Sequence, residues 1–223
     1  MRKFSVALVI LVVLLVVLDR AGLFIAEREI SIRVQSAYTL PARPSVSIKG
    51  FPFLTQVASG RYQEIDVSIP DAAVEGVQLH DIDAKFTGVH ASLSLLLGQN
   101  AGSVTASQAT GTAMIPFSQI QRRLPGGITL SPDGGNNVSV TGRTTYGVIK
   151  GTARLGVTSS GGISVTPERL TIAGLSAGAL ISRFTVTIPV GALPLHLTIS
   201  GVHVASGGVV VDATGQNVEF ARA

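Results

Sequence analysis

The spacing of apolar residues changes repeatedly along the chain, and each change predicts an element. Phe4–Leu18 is an apolar run interrupted only by Ser5. From Asp19 to Tyr38, Leu23, Ala26, Ile30, Val34 and Ala37 recur every three or four residues, which predicts a helix with one apolar stripe. Glu29 and Arg33 are spaced for an ion pair on another face. The prolines of "LPARP" (Leu40–Pro44) end it, because proline has no N–H to extend a helix. Ser45–Lys49 alternates, with Val46 and Ile48 on one side, and predicts a strand. In "GFPFLTQVASG" (Gly50–Gly60) helical spacing returns: Pro52 suits a first turn, Gly60 suits a C-terminal stop, and Phe53 and Val57 are four apart. From Arg61 the period is two again. Ile65, Val67 and Ile69 take one face; Tyr62, Glu64, Asp66 and Ser68 take the other, which is expected to be solvated.

Gly76–Leu93 keeps the strand period but slips phase near His80–Asp81, as a β-bulge does. "LSLLLG" (Leu93–Gly98) predicts a helical turn and Ser103–Ile115 a strand of small residues. Phe117, Ile120 and Leu124 predict a short helix stopped by "PGG" (Pro125–Gly127). Beyond Thr129 the turn signals "SPDGGNN" (Ser131–Asn137), "SSGG" (Ser159–Gly162) and "SGG" (Ser206–Gly208) separate alternating runs, among them Leu193, Leu195, Leu197 and Ile199. One-sided strands of this kind predict antiparallel sheet with one wet face. The fold class is therefore α+β.

The first apolar run follows "MRK" and precedes Asp19 and Arg20, a basic start and an apolar body of the kind that directs a chain to a membrane. No A-x-A-like site follows it. We read residues 1–20 as an uncleaved signal-anchor, with a cleaved signal peptide as the alternative, and residues 21–223 as a single domain. Arg2 and Lys3 lie on one side while Asp19 and Arg20 cancel on the other, which puts the domain on the extracytoplasmic side. Hydrophobic residues make up 46% of the 223, enough for a sizeable core. The absence of cysteine excludes disulfides, cysteine zinc sites and thiol catalysis. The net charge of +4 is scattered and aromatics are 5%, so the basic stripe with stacking rings that nucleic acid requires is missing. A mild positive balance on a tethered domain suits an anionic lipid surface.

Reaction chemistry is thin. "GLSAG" (Gly174–Gly178) matches the nucleophile elbow of hydrolases, but no histidine follows Ser176 and Asp212 in the required order. His80, Asp81, Asp83 and His90 match no metal spacing, and neighbours on a strand point to opposite faces. Glu64 and Asp66 sit with Tyr62 and Ser68 in the composition of a wet strand face. No cofactor is implied, and the protein is expected not to be an enzyme. An apolar helix, one-sided strands and inserts carrying Phe, Leu and Val remain. A sheet curving over a helix encloses an apolar groove, whose natural ligand on a membrane-tethered domain is lipid.

"VSIKGFPFLTQVASGRYQEIDVSIPD" (Val46–Asp71) closely resembles the hallmark segment of the LmeA-like family of actinobacterial envelope proteins. "FTGVHASLSLLLG" (Phe86–Gly98), "GTAMIPFSQI" (Gly111–Ile120) and "LPLHLTISGVHVASGGVVVDATGQNVEF" (Leu193–Phe220) resemble further family blocks in the family's order. The resemblance implies a tubular lipid-binding-like fold, with a long N-terminal helix packed in a curved antiparallel β-sheet with short helical inserts. It also implies phospholipid binding and, in the namesake, support of lipomannan biosynthesis, hence a phospholipid or phosphoinositide-type ligand. The candidate lipid-contacting residues are Ile30 and Val34 on the first helix, Phe51, Phe53, Leu54 and Val57 at the hinge, and Phe117 and Ile120 on the short helix. A scaffold for a membrane glycosyltransferase and an envelope lipid hydrolase are the alternatives. The Phe51–Val57 turn itself has two readings, a plug that closes the core or a greasy lip that touches lipid.

Overall fold

The computed structural model describes residues 2–74, 76–91, 103–122, 127–144, 147–159, 162–173, 175–176, 186–188 and 193–220. The turn expected at Leu93–Gly98, Leu124 and most of "GLSAG" lie outside these residues.

The first apolar run and the amphipathic stripe merge into one uninterrupted helix, α1 (Arg2–Ala37). Leu40 and the prolines end it as expected, and Arg33 bonds Glu29 at 3.2 Å across one turn. The strand β1 (Ser45–Lys49) buries Val46 and Ile48, and the short helix α2 (Phe53–Ser59) follows directly. Gly60 ends α2 in the left-handed conformation (φ 63°), its N–H turned back to the carbonyls of Gln56 and Val57. The long strands β2 (Arg61–Val74), β3 (Val77–His90) and β4 (Val104–Pro116) come next, then the short helix α3 (Phe117–Gln121). Asp81 takes φ 48° inside β3, at the place where the hydrophobic phase slips.

The meander consists of β5 (Ile128–Pro132), β6 (Asn137–Thr144), β7 (Gly147–Val157), β8 (Ile163–Ile172), β9 (Leu175–Ser176), β10 (Val186–Ile188), β11 (Thr198–Val204) and β12 (Gly208–Phe220). All three turn signals fall between consecutive strands. Gly134 and Gly135, both at positive φ, carry the chain from β5 back into β6. Strands β1–β2–β3–β4–β12–β11 lie in that order in one open sheet; β10–β8–β7–β6–β5 form the second, with β9 also paired to β8.

Two expectations are corrected. Leu193–Leu197 is not a strand: Pro194–His196 forms a 3-10 turn with Leu195 and His196 at positive φ, and the strand begins only at Thr198. Proline cannot donate to a ladder, so the alternation there carries no sheet. Tyr62 is not on a solvated face. It is 1% exposed, because α2 folds back beside the start of β2 and sets the Phe53 ring 6.5 Å from it.

The described residues group into two compact units interleaved in sequence: Met1–Ile69 with Asp83–Ala109 and Gln216–Ala223, and Pro70–Ile82 with Thr110–Gly215. In the first, α1 packs on β1 and α2, and Phe86 meets Phe220 edge to face at 5.0 Å. In the second, Phe117, Val138, Ala153, Leu155, Ile163, Ile199, Val202 and Val209 form one buried cluster drawn from α3 and both sheets.

Candidate functional site

The candidate residues divide between the two units. Phe117 belongs to the core of the second, with Ile120 packed against it. The other six lie in the first unit, on α1 and on the hinge from Gly50 to Gly60.

The hinge holds its shape through one buried amide. Gln56 Nε2 donates to the Lys49 carbonyl at 3.1 Å, and its Oε1 accepts from the Gln63 N–H at 2.9 Å. The end of β1 and the start of β2 are thereby tied to the middle of α2. Gly50 sits at φ 101°, and a side chain there would meet Gln56 and Gln63 at under 3.0 Å. Only glycine fits both the backbone and the space.

Three polar side chains on one face of α1 fasten the helix to what it covers. Asp19 Oδ1 accepts the Leu54 N–H at 2.8 Å, supplying a partner for one free amide in the first turn of α2. Glu27 Oε1 accepts the Ile48 N–H at 2.8 Å, on the open edge of β1. Ser31 donates to the Pro44 carbonyl. Ala26 and Ile30 are buried on the same side, Val34 is half-buried, and Gly22 lets Phe53 and Leu54 approach the helix. The apolar stripe was visible in the sequence; the role of Asp19, Glu27 and Ser31 was not. Their common helical face, eight and four residues apart, was the available clue.

The hinge residues then separate by exposure. Phe53 is 2% exposed, packed between α1 and Tyr62. Val57 is half-buried, whereas Phe51 is 61% and Leu54 42% exposed. The Arg20 guanidinium lies 5.0 Å from the Phe51 ring centre and bonds Asp19 Oδ2 at 2.7 Å. The turn therefore contains both a plug, Phe53, and an exposed rim, Phe51 and Leu54.

The polar groups weighed for chemistry lie in structural contacts. Lys85 Nζ bonds Glu64 at 3.0 Å and stands 3.9 Å from Asp66, while Lys49 reaches Asp66 at 3.6 Å. The hydrogen bond from Lys85 to Glu64 holds the ammonium above its usual pKa range. Burial pushes the Tyr62 phenol up, and its hydroxyl finds no hydrogen-bond partner among the described residues. His80 faces Asp71, Asp83 accepts from Ser68, and His90 Nδ1 lies 3.0 Å from the Gly88 carbonyl. Ser176 pairs with Thr171 in β9.

The sequence profile of a family described as LmeA-like phospholipid-binding matches residues 17–214. The chain belongs to this family. No curated protein and no solved structure matches it.

Proposed function

We propose, from its membership of the LmeA-like phospholipid-binding family, that the chain is a membrane-anchored, extracytoplasmic and non-catalytic phospholipid-binding protein. The observation that carries the reading is the family match, which runs from the end of the apolar run through most of the sheets. Helix α1 supports the anchoring: it is long and apolar enough to cross a membrane, and Phe4–Leu18 are exposed on every side. Lipid handling for the cell envelope, a phosphoinositide-type headgroup and a glycosyltransferase partner are the finer parts of the proposal. In this reading an acyl chain is held within the first unit, along Ile30, Val34 and the outer side of the Phe51–Val57 turn; Phe117 and Ile120 are separate candidates within the second unit.

The test is native mass spectrometry of the full chain released from detergent, followed by lipid extraction and headgroup competition. A stoichiometric phospholipid adduct is expected. A protein that emerges lipid-free, and takes up none from added vesicles, overturns the reading.

A further inference from the structure

The exposed apolar surface of α1 does not stop where the globular part begins. Phe24 and Ile25 are 63% and 65% exposed, about one and a half turns beyond Asp19. The first charged residues after Arg20 are Glu27, Arg28 and Glu29. From Phe4 to Ile25 the outward surface of the helix thus stays apolar, apart from Ser5 and Arg20, for about 33 Å at 1.5 Å per residue. That length matches a hydrocarbon core of about 30 Å. The membrane boundary implied by exposure lies near Ile25–Arg28, not at Asp19.

Helix α2 is fastened to the stretch of α1 below that boundary. Asp19 holds the Leu54 N–H, and Phe53 and Leu54 both lie against Gly22. The charges at this level are already matched. The Asp19 side chain is 3% exposed, bonded to Arg20 and to the Leu54 amide, and Arg20 covers the Phe51 ring. Hydrocarbon would meet Phe51 and Leu54, while the long Arg20 side chain extends its charge towards the phosphates.

We propose that the Gly50–Gly60 hinge is a membrane-inserted foot, seated in the same leaflet that receives the C-terminal end of the α1 span. Phe51 and Leu54 contact acyl chains, and Arg20 contacts a phospholipid phosphate. This rests on the reading that α1 crosses the membrane. It adds that the globular part touches the bilayer directly, so that the rim of the hinge draws on leaflet lipid without crossing water.

The chain has no tryptophan, so one introduced indole reports its own surroundings. Full-length Leu54→Trp and Phe51→Trp would be reconstituted in phosphatidylcholine–phosphatidylglycerol vesicles carrying acyl-brominated lipid. Leu14→Trp serves as the control within the span, and Tyr38→Trp, at the far end of α1, as the aqueous control. Loss of fluorescence at positions 51 and 54 comparable to that at 14, with none at 38, is the expected result. Quenching at 14 but not at 51 or 54 overturns the foot. Absence of quenching at 14 overturns the membrane span and the foot together. A water-exposed hinge in a protein that still yields extractable phospholipid removes the foot and leaves lipid binding intact. A quenched hinge in a lipid-free protein does the reverse.

Discussion

Phe53 and Phe51 are two residues apart and have opposite fates, which makes them a matched pair for experiment. Removing the buried ring in Phe53→Ala should destabilise the first unit by about 3–5 kcal/mol, the usual range for a core phenylalanine. The Phe51→Ala change removes a ring that packs little against the fold and should cost less than about 0.5 kcal/mol in urea melts. Equal losses at the two positions would contradict the division into plug and rim. Tyr62, against which Phe53 packs, carries a buried hydroxyl without a partner among the described residues, and Tyr62→Phe should raise stability by about 1 kcal/mol. The same phenol contributes to alkaline sensitivity. Tyr62 and Lys85 both have folded pKa values above their ordinary 10.0 and 10.5. Each therefore favours the folded state fully below its unfolded value, and that contribution is lost as pH rises through the folded value. Unfolding monitored between pH 9 and about pH 12 should show a fall in stability that is shallower in both Tyr62→Phe and Lys85→Met.

At the scale of elements, the sequence carried most of what is local. Helix α1, the strand–helix–strand order around Gly50–Gly60 and the three hairpin turns all follow from period, proline and glycine. What escaped was set by contacts distant in sequence. Tyr62 has the parity of Glu64 and Asp66, and only the return of α2 over β2 buries it. Leu193–Leu197 has the right alternation, and positive φ at Leu195 and His196 cancels it. Asp19 resembles a residue that ends an apolar run, yet it holds an amide 35 residues away. Asp19→Ala should leave that amide and Arg20 without their partner, at a cost of about 1–3 kcal/mol. Asp19→Asn keeps an acceptor and should lose less. Hydrogen exchange at the Leu54 amide separates the cases: protection should fall sharply in the alanine variant and remain substantial in the asparagine one. Gly22→Ala is a complementary probe, because its new methyl would stand 3.8 Å from Phe53 and Leu54, an ordinary contact. It should be neutral or mildly stabilising through helix propensity, whereas Gly22→Leu should displace α2.

For the molecule as a whole, the central matter is where the exposed apolar run ends and the folded unit begins. Composition draws the line after Leu18, where the apolar run stops. Contacts draw it within the helix: Asp19, Gly22, Ala26, Glu27, Ile30 and Ser31 are parts of the first unit that share a backbone with the apolar run. The two lines predict different truncations. A chain starting at Asp19 retains every side chain that holds α2 and β1. It should fold, with a melting temperature close to that of the detergent-solubilised full chain. A chain starting at Glu27 keeps the β1 contact but has lost Asp19, the approach at Gly22 and the buried Ala26. Phe53 is then uncovered and the Leu54 amide unpaired. Thermal melts and limited proteolysis should show a first unit that is opened near α2, with cleavage between Gly50 and Gly60. The comparison bears directly on processing. A peptidase acting between Ala21 and Ala26 would remove the fastening of the hinge along with the apolar run, so a protein whose hinge resists protease has kept its helix at least back to Asp19. Equal stability of the two truncations would show instead that α1 is separable from the folded unit, and the continuity of helix, hinge and sheet would then have no energetic consequence.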